Sequence, residues 1–492
     1  MTVKRAVKIL ILILFACLAA SIGLFIYNAN KDYNINAGFS SIPLQYNAEN
    51  NSSTYNWNGT AITVYGGFVK GIQKEGKNEH LIIRALFPLP TIEIKSSSQK
   101  AISINLENIN PDFYSKQIDK SWIPNRISVN TLQFNININA NEEKKMVPNT
   151  PDNTDSDNYI ILGDNRDGYD TFDQIINQVN SSNPVFVIDN GDLVFSGKAN
   201  QYRLFDQAVS KISTTLCTEL GNHDIRRDGR NTYTKLYGPA YYSFDFGNNH
   251  FAFVDSSRGW AEKTSIPDEG YTWLEQDLQK VQGKNIYVIT HIPPVDPRSN
   301  TTPNAIPAYV DQMKNNSSIE TILDNYRENE NMNHGFQDPT EAARFEKIMT
   351  KYNVNTVYLS HIHSYFDFTK DNVRYVISGG AGAELLTKNS YYHYVTAKLD
   401  DSNTLTITEL PSPANNLITR YGATAKLLGK AMYIENKTAV VLFIIGIIVL
   451  LLLIVLHFIL KFKNGLSNLG ILLKDTGKYI AKRFKEIYRN KK

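Results

Sequence analysis

Tyr159-Ile160-Ile161-Leu162-Gly163-Asp164-Asn165-Arg166 is the first of five segments in which a short apolar or β-branched run ends in polar residues of a restricted kind. Val185 to Ile188 leads into Gly191-Asp192-Leu193-Val194, and Thr214 to Leu220 leads into Gly221-Asn222-His223-Asp224. Ile286 to Thr290 ends at His291, and Thr356 to Leu359 ends at Ser360-His361-Ile362-His363. Runs of this composition read as strands, so each polar cluster marks a strand end. Between them lie helical repeats such as Phe172, Ile175, Ile176, Val179 and Trp273, Leu274, Asp277, Leu278, Val281. Alternating strands and helices imply a layered α/β domain, and in open α/β sheets the carboxyl ends of the strands line the ligand crevice. Carboxylate and amide oxygens mixed with imidazoles suit Mn, Fe or Zn, whereas the lack of thiolates argues against a cysteine-type zinc or an iron–sulfur cluster.

In this order the segments resemble the motifs of the calcineurin-like metallophosphoesterase superfamily. Gly238 to Gly247, His291-Ile292-Pro293-Pro294 and Ser378-Gly379-Gly380-Ala381-Gly382-Ala383 add to the likeness, which spans roughly residues 157–410. It implies a four-layer α/β/β/α sandwich and a centre of two divalent or trivalent transition metal ions. Asp192 would bridge both ions; Asp164 and His363 would complete one site, and Asn222, His291 and His361 the other. His223 matches a non-ligand histidine placed to protonate the leaving oxygen, with a pKa near the ordinary value of about 6.5, or to contact the phosphate. Asp224 would orient its loop. The implied reaction is in-line displacement at phosphorus by a metal-activated hydroxide.

Two positions depart from the family pattern. Arg166 stands where many members have a histidine ligand, and Phe195 where some have a metal-binding tyrosine. An arginine has no lone pair to give a metal. Arg166 is therefore expected to grip a substrate phosphate oxygen, or else to pair with a neighbouring acid. Arg226 and Arg227 follow in the His223 loop, and Arg226 is a second phosphate candidate. His80, His250 and His393 read as structural, and His334 as a candidate for substrate contact.

Outside this region the chain has two apolar stretches, Ile9 to Tyr27 and Thr438 to Leu460. At about 1.5 Å per residue both can span a hydrocarbon core of about 30 Å. The first is preceded by Lys4, Arg5 and Lys8, and residues 461–492 carry 10 Lys or Arg against 2 acids. Under the positive-inside rule both ends are cytoplasmic and residues 28–437 lie outside the cell membrane. A cleaved signal peptide is the alternative for residues 1–28. The basic tail could lie on anionic lipid or serve only as a topology signal. With the flanks removed, the remaining 38 basic and 46 acidic residues leave a formal −8, so no nucleic-acid partner is expected. Cys17 and Cys217 are the only cysteines, so with Cys17 in the membrane no disulfide can staple the exterior part internally.

The expected organisation is an anchor or signal over 1–28, a spacer over 29–60, a small all-β domain over 61–141 and a linker over 142–157. The phosphoesterase domain follows over 158–410, then a linker over 411–437 with helix within 423–432, a transmembrane helix over 438–460 and a basic tail over 461–492. The functional reading is a membrane-anchored extracytoplasmic phosphoesterase acting on a phosphorylated substrate. The alternative is a binding or scaffolding ectodomain that retains the fold without full activity.

Overall fold

A computed structural model describes residues 3–29, 39–150, 157–257, 265–298, 334–385, 390–400, 404–410, 417–435 and 437–489. Most of residues 296–333 lies outside these residues. The chain forms two compact units, one of Met1–Asp32 with Met432–Lys492, the other of Tyr33–Ala431.

The first unit contains helix α1 (Val3–Ala29) and a long C-terminal helix. In the second unit, ten strands and a short helix precede the motif region. One six-stranded sheet has the order β1 (Phe39–Ser41), β4 (Gly67–Glu75), β5 (Asn78–Ala85), β7 (Lys100–Glu107), β9 (Thr131–Ile138), β8 (Asn125–Ser128). A four-stranded sheet has the order β10 (Glu142–Met146), β6 (Thr91–Ser96), β3 (Thr60–Tyr65), β2 (Ser52–Trp57). Helix α2 (Pro111–Gln117) starts at Asn110, whose side chain accepts from the amides of Asp112 and Phe113. Period-two burial in β3 and β9 turns Ile62, Val64, Leu132, Phe134, Ile136 and Ile138 into one shared core.

Residues 29–60, read as a spacer, therefore carry two strands, and the linker read over 142–157 begins with another. β2 and β10 are the edges of the four-stranded sheet. Their polar sequences, Ser-Ser-Thr-Tyr-Asn-Trp and Glu-Glu-Lys-Lys-Met, hide them from a periodicity reading, and in β10 the charges suit an edge by blocking further pairing.

The motif region is mixed α/β with two sheets. One has the order β13 (Thr215–Thr218), β12 (Phe186–Asp189), β11 (Asn158–Leu162), β20 (Tyr392–Lys398), β21 (Leu405–Leu410). The other has the order β14 (Tyr241–Phe246), β15 (Asn249–Val254), β16 (Asn285–Ile289), β17 (Thr356–Leu359), β19 (Val373–Ser378), β18 (Tyr365–Lys370). Pairing is parallel from β11 through β13 and from β15 through β17 to β19. Parallel strands deliver their carboxyl ends to one edge, so the five polar clusters can meet.

Tyr159, Ile161, Phe186 and Ile188 of the first sheet share an apolar cluster with Phe251, Phe253, Tyr287, Ile289 and Tyr358 of the second. The Tyr159 and Tyr358 hydroxyls meet at 2.7 Å, so neither is left unpaired inside. On the other side of β11 and β12, Ile160, Leu162 and Val187 pack with Phe172, Ile175 and Val179 of α3 (Tyr169–Ser182) and Phe205 of α4 (Ala199–Val209). Helix α5 (Gly229–Leu236) adds Tyr233 and Leu236 to that cluster. Helices α6 (Asp268–Lys280) and α7 (Pro339–Lys351) cover Ala252, Val288 and Val357 with Trp273, Leu274, Phe345 and Met349. Each large side chain so buried contributes about 1.5–3 kcal/mol.

The N-terminal strands are joined to this core by specific bonds. Asn108 accepts from the Leu216 amide and donates to the Leu216 carbonyl, both at 3.0 Å, satisfying the outer edge of β13. Trp273 donates to the Ala48 carbonyl at 3.0 Å.

Helix α8 runs over Leu417–Glu435, longer than the 423–432 expected, and α9 over Lys437–Arg489. Lys437–Ile459 is long and apolar enough to cross a membrane, whereas Ile9–Leu24 is a shorter apolar stretch. Within their unit α1 and α9 pack antiparallel. Ser21 donates to the Ala439 carbonyl at 2.9 Å, and a Cβ on Gly446 would come within 3.0 Å of Leu18.

Candidate metal centre

The loops after β11, β12, β13, β16 and β17 bring Asp164, Asp192, Asn222, His291, His361 and His363 into one crevice. Acceptor atoms of Asp164, Asp192 and His363 lie within 4.8 Å of one another. His291 Nε2 is 3.4 Å from Asp192 Oδ1 and 4.0 Å from Asp164 Oδ1, and His363 Nε2 is 3.6 Å from Asp164 Oδ1. Asp164, Asp192, His291 and His363 are fully buried, and Asn222 is nearly so.

Backbone conformation aims these groups. Asp164 (φ 58°), Arg166 (39°), Asp192 (56°), His361 (70°) and His363 (31°) all adopt positive φ. For residues with a Cβ this costs about 1–3 kcal/mol each and persists only where surroundings enforce it. Asp224 supplies part of that enforcement. Its carboxylate accepts from the amides of Gly221, Leu193 and Val194 at 2.8, 3.2 and 3.0 Å, tying the Asp192 loop to the Asn222 loop. Gly221 is required where the loops touch, because a Cβ there would lie 2.3 Å from Asp192 Oδ1.

Buried polar atoms are normally hydrogen-bonded. Here Asp164 Oδ1, Asn222 Oδ1, His291 Nε2, His361 Nδ1 and His363 Nε2 have no partner. The opposite nitrogens of two of the rings are engaged: His291 Nδ1 with the Asn190 carbonyl at 2.8 Å and His363 Nδ1 with the Glu384 carbonyl at 2.5 Å. Nδ1–H donation to a carbonyl leaves Nε2 as a lone pair, the tautomer of a metal-ligating histidine. Burial lowers the pKa of His291 and His361, and burial followed by the Arg166 charge takes His363 to about 3, so all three imidazoles are neutral. Burial alone would raise Asp192, but the Arg166 guanidinium 3.0 Å away stays charged and holds its carboxyl well below the usual range. Asp164 moves upward, by burial and then by Asp192. These residues fit a cation: open hard oxygens and neutral nitrogens are left without a partner among the described residues.

Arg166 reaches the same place. Its Nε donates to Asp192 Oδ2 at 3.0 Å, Nη1 to Glu384 Oε1 at 2.9 Å and Nη2 to His223 Nε2 at 2.7 Å. The pairing with acids that the sequence left open is thus present. Arg226 Nη2 meets the same His223 nitrogen at 2.8 Å, while Arg227 is exposed. His223 Nδ1 faces the Phe195 carbonyl and its own amide donates to Asp192 Oδ1 at 2.9 Å. Burial, reinforced by Arg166 and Arg226, lowers its pKa to about 4, correcting the near-neutral value expected. Phe195 stacks obliquely on His223, with ring centroids 5.5 Å apart.

Glu384 escapes a reading of the sequence. It directly follows the Gly-rich stretch from Ser378 to Ala383, but nothing local marks it. Its carboxyl is held at about 2; burial opposes this, and the charge of Arg166 prevails. His334 lies with its ring 5.4 Å from that of His361. His250 and His393 are elsewhere. His250 is clamped between Asp245 and Asp277, and His393 meets Ser378 Oγ at 3.2 Å.

Residues 158–365 match the calcineurin-like phosphoesterase family model. A probable glycerophosphodiester phosphodiesterase, GpdQ, of Arcobacter nitrofigilis is 27% identical over 123 residues, 23% of this chain. The chain spans 43% of that relative's length. Among solved structures, purple acid phosphatase PPD1 from yellow lupin aligns over 73% of this chain and 78% of its own at 13% identity and a TM-score of 0.40. A dimetal phosphatase from Danio rerio aligns over 51% and 95% at 11% identity and a TM-score of 0.34. Over residues 158–365, the chain is thus similar to the calcineurin-like phosphoesterase family.

Proposed function

We propose that this protein is a membrane-anchored, extracytoplasmic hydrolase of phosphate esters that works with two bound metal ions. The observation that carries the reading is the set of five buried, unpartnered ligand atoms around Asp192. Asp164, Asp192 and His363 would hold one ion, and Asp192, Asn222, His291 and His361 the other. Bound metal supplies charge stabilisation at the phosphoryl group and activation of water at neutral pH.

The chain's own residues do the rest. Arg166 and Arg226 present N–H groups to one spot beside His223 Nε2. A phosphate oxygen is a stronger acceptor than a neutral imidazole, so an entering ester draws the guanidinium groups onto itself. With the guanidinium groups drawn off and the ester's negative charge beside it, His223 Nε2 can take up a proton from solvent and pass it to the departing oxygen, while Nδ1 stays on the Phe195 carbonyl. The three apolar clusters, one between the sheets and one outside each, support the four-layer α/β/β/α reading of this domain.

The membrane reading rests on Lys437–Ile459, on the antiparallel pairing of Ser21 with Ala439 and Leu18 with Gly446, and on the basic residues beyond the apolar stretch. Small residues at a helix contact and an antiparallel pair suit two spans with both chain ends on the cytoplasmic side. Reporter fusions at the C-terminus test this. An extracytoplasmic signal there would rule out the topology.

Activity is tested with the purified full chain, stripped by chelator and reloaded with Mn, Fe or Zn, against nitrophenyl phosphate and bis-nitrophenyl phosphate. Hydrolysis should vanish on stripping and return on reloading. Protein that holds metal at these ligands yet hydrolyses neither ester would refute the proposal and leave a binding ectodomain.

A further inference from the structure

Two loops of the domain lie backbone against backbone. Ala381 and Ala383 donate their amides to the carbonyls of Gly163 and Asp164 at 3.1 and 2.7 Å. A Cβ on Gly168 would fall 1.9 Å from the Gly382 oxygen, so no side chain fits between them. The first loop carries Asp164 and Arg166. The second ends in Glu384, whose carboxylate holds Arg166 Nη1 and whose carbonyl engages His363 Nδ1.

On the outer side, one residue from far along the chain spans both loops. Arg420 of α8 reaches Asp167 Oδ1 with Nη2 at 3.1 Å and the Gly382 carbonyl with Nη1 at 3.5 Å. Its side chain is 15% exposed although Asp167 is 50% exposed. The same helix seats Leu427, with Ala423 packed beside it, in the apolar cluster that includes Phe172 and Tyr392. The contact is thus backed by burial and does not depend on an exposed ion pair, which alone is worth at most about 1 kcal/mol. A planar, forked cation suits two acceptors on different loops; an ammonium can serve one well.

We propose that Arg420 is a positioning residue of the phosphoester site: by joining the Asp167 and Gly382 loops it holds Arg166 and Glu384 in register. Helix α8 is then a working part of the domain, although it lies beyond the residues 158–365 that carry the family match. The inference rests on the phosphoesterase reading only for its kinetic consequence. Displacement of a phosphate-gripping group by about 1 Å costs on the order of 10²-fold in rate.

The test uses the full metal-loaded chain with Arg420→Ala, Arg420→Lys and Arg166→Ala. Arg420→Ala should speed amide exchange at Ala381 and Ala383 and reduce kcat/KM roughly 10- to 100-fold, with Arg420→Lys intermediate. In an Arg166→Ala background, Arg420→Ala should cause little further loss, because its effect passes through Arg166. Unchanged exchange at both amides would overturn the proposal, and so would an equal loss in both backgrounds. If Arg420→Ala fails to fold, Asp167→Asn, which removes the charge of one of its two acceptors, takes its place: faster exchange at the two amides supports the proposal, and unchanged exchange overturns it. A wild-type chain that hydrolyses no ester would sink the phosphoesterase reading, while amide exchange would still decide the role of Arg420.

Discussion

Two buried groups of histidines and acids in this domain are opposite in character. At His250, Nδ1 meets Asp245 at 2.7 Å and Nε2 meets Asp277 at 2.9 Å, so both ring nitrogens are answered. At the crevice, His291, His361 and His363 each keep one nitrogen open beside the unpartnered oxygens of Asp164 and Asn222. Burial disfavours the charged imidazole in both places. Around His250 the two carboxylates override it and raise the pKa to about 9. In the crevice Arg166 opposes protonation of His291 and His363, and His291 and His334 oppose it at His361. One cluster is closed by its own charges and the other is left for a cation from outside.

The sharpest way to break this contrast is Asp192→Asn. Loss of outer partners of a metal ligand already costs about 10- to 100-fold, so loss of the shared carboxylate should reduce turnover by more than about 10³-fold with the fold intact by circular dichroism. A mutant keeping a tenth of wild-type turnover at saturating metal would show that the open atoms are not a metal centre.

His223 divides ligand from proton donor. His223→Ala should leave metal content unchanged and lower kcat by roughly 10²- to 10⁴-fold, least for esters with good leaving groups. Equal losses for alkyl and aryl esters would remove the proton-donor role, and metal loss would make it a ligand.

Arg166 tests what closes the crevice on one side. Arg166→Lys cannot reproduce bonds to Asp192, Glu384 and His223 together, so KM should rise or kcat fall by roughly tenfold. Arg166→His should retain more metal through chelator dialysis, since imidazole supplies a ligand nitrogen. Retention no better than wild type would mean that position 166 does not face the ion.

The smallest effect belongs to the closed cluster. The folded-state pKa of His250 is raised to about 9 from the ordinary 6.5. Its contribution is therefore complete below about pH 6.5 and lost as pH rises through about 9, at most ~3 kcal/mol in all. Urea melts of wild type should weaken over that window, and His250→Asn should flatten the slope. A wild-type slope that survives the substitution would assign the pH dependence to another group.

The legibility of the two clusters differs for a physical reason. Asp164, Asp192, Asn222, His291, His361 and His363 sit at the ends of apolar runs, where strand geometry alone carries them to one crevice edge. Glu384, Arg420 and the pairing partners of His250 act across separations that no local pattern records. Likewise β2 and β10 are hidden because edge strands tolerate polar residues on both faces.

By itself the sequence determined the alternation of strands and helices, the residue types at the strand ends and the apolar stretches near both ends, because each is written in short-range order or composition. Only the tertiary structure decided where Arg166 spends its charge, since a guanidinium is drawn to whichever acids the fold sets within reach. It also decided the neutral state of His223 and the left-handed backbone at Asp164, Asp192 and His361. Desolvation, long-range charge and enforced strain are properties of packed neighbours, and those neighbours come from residues as far apart as Arg166 and Glu384.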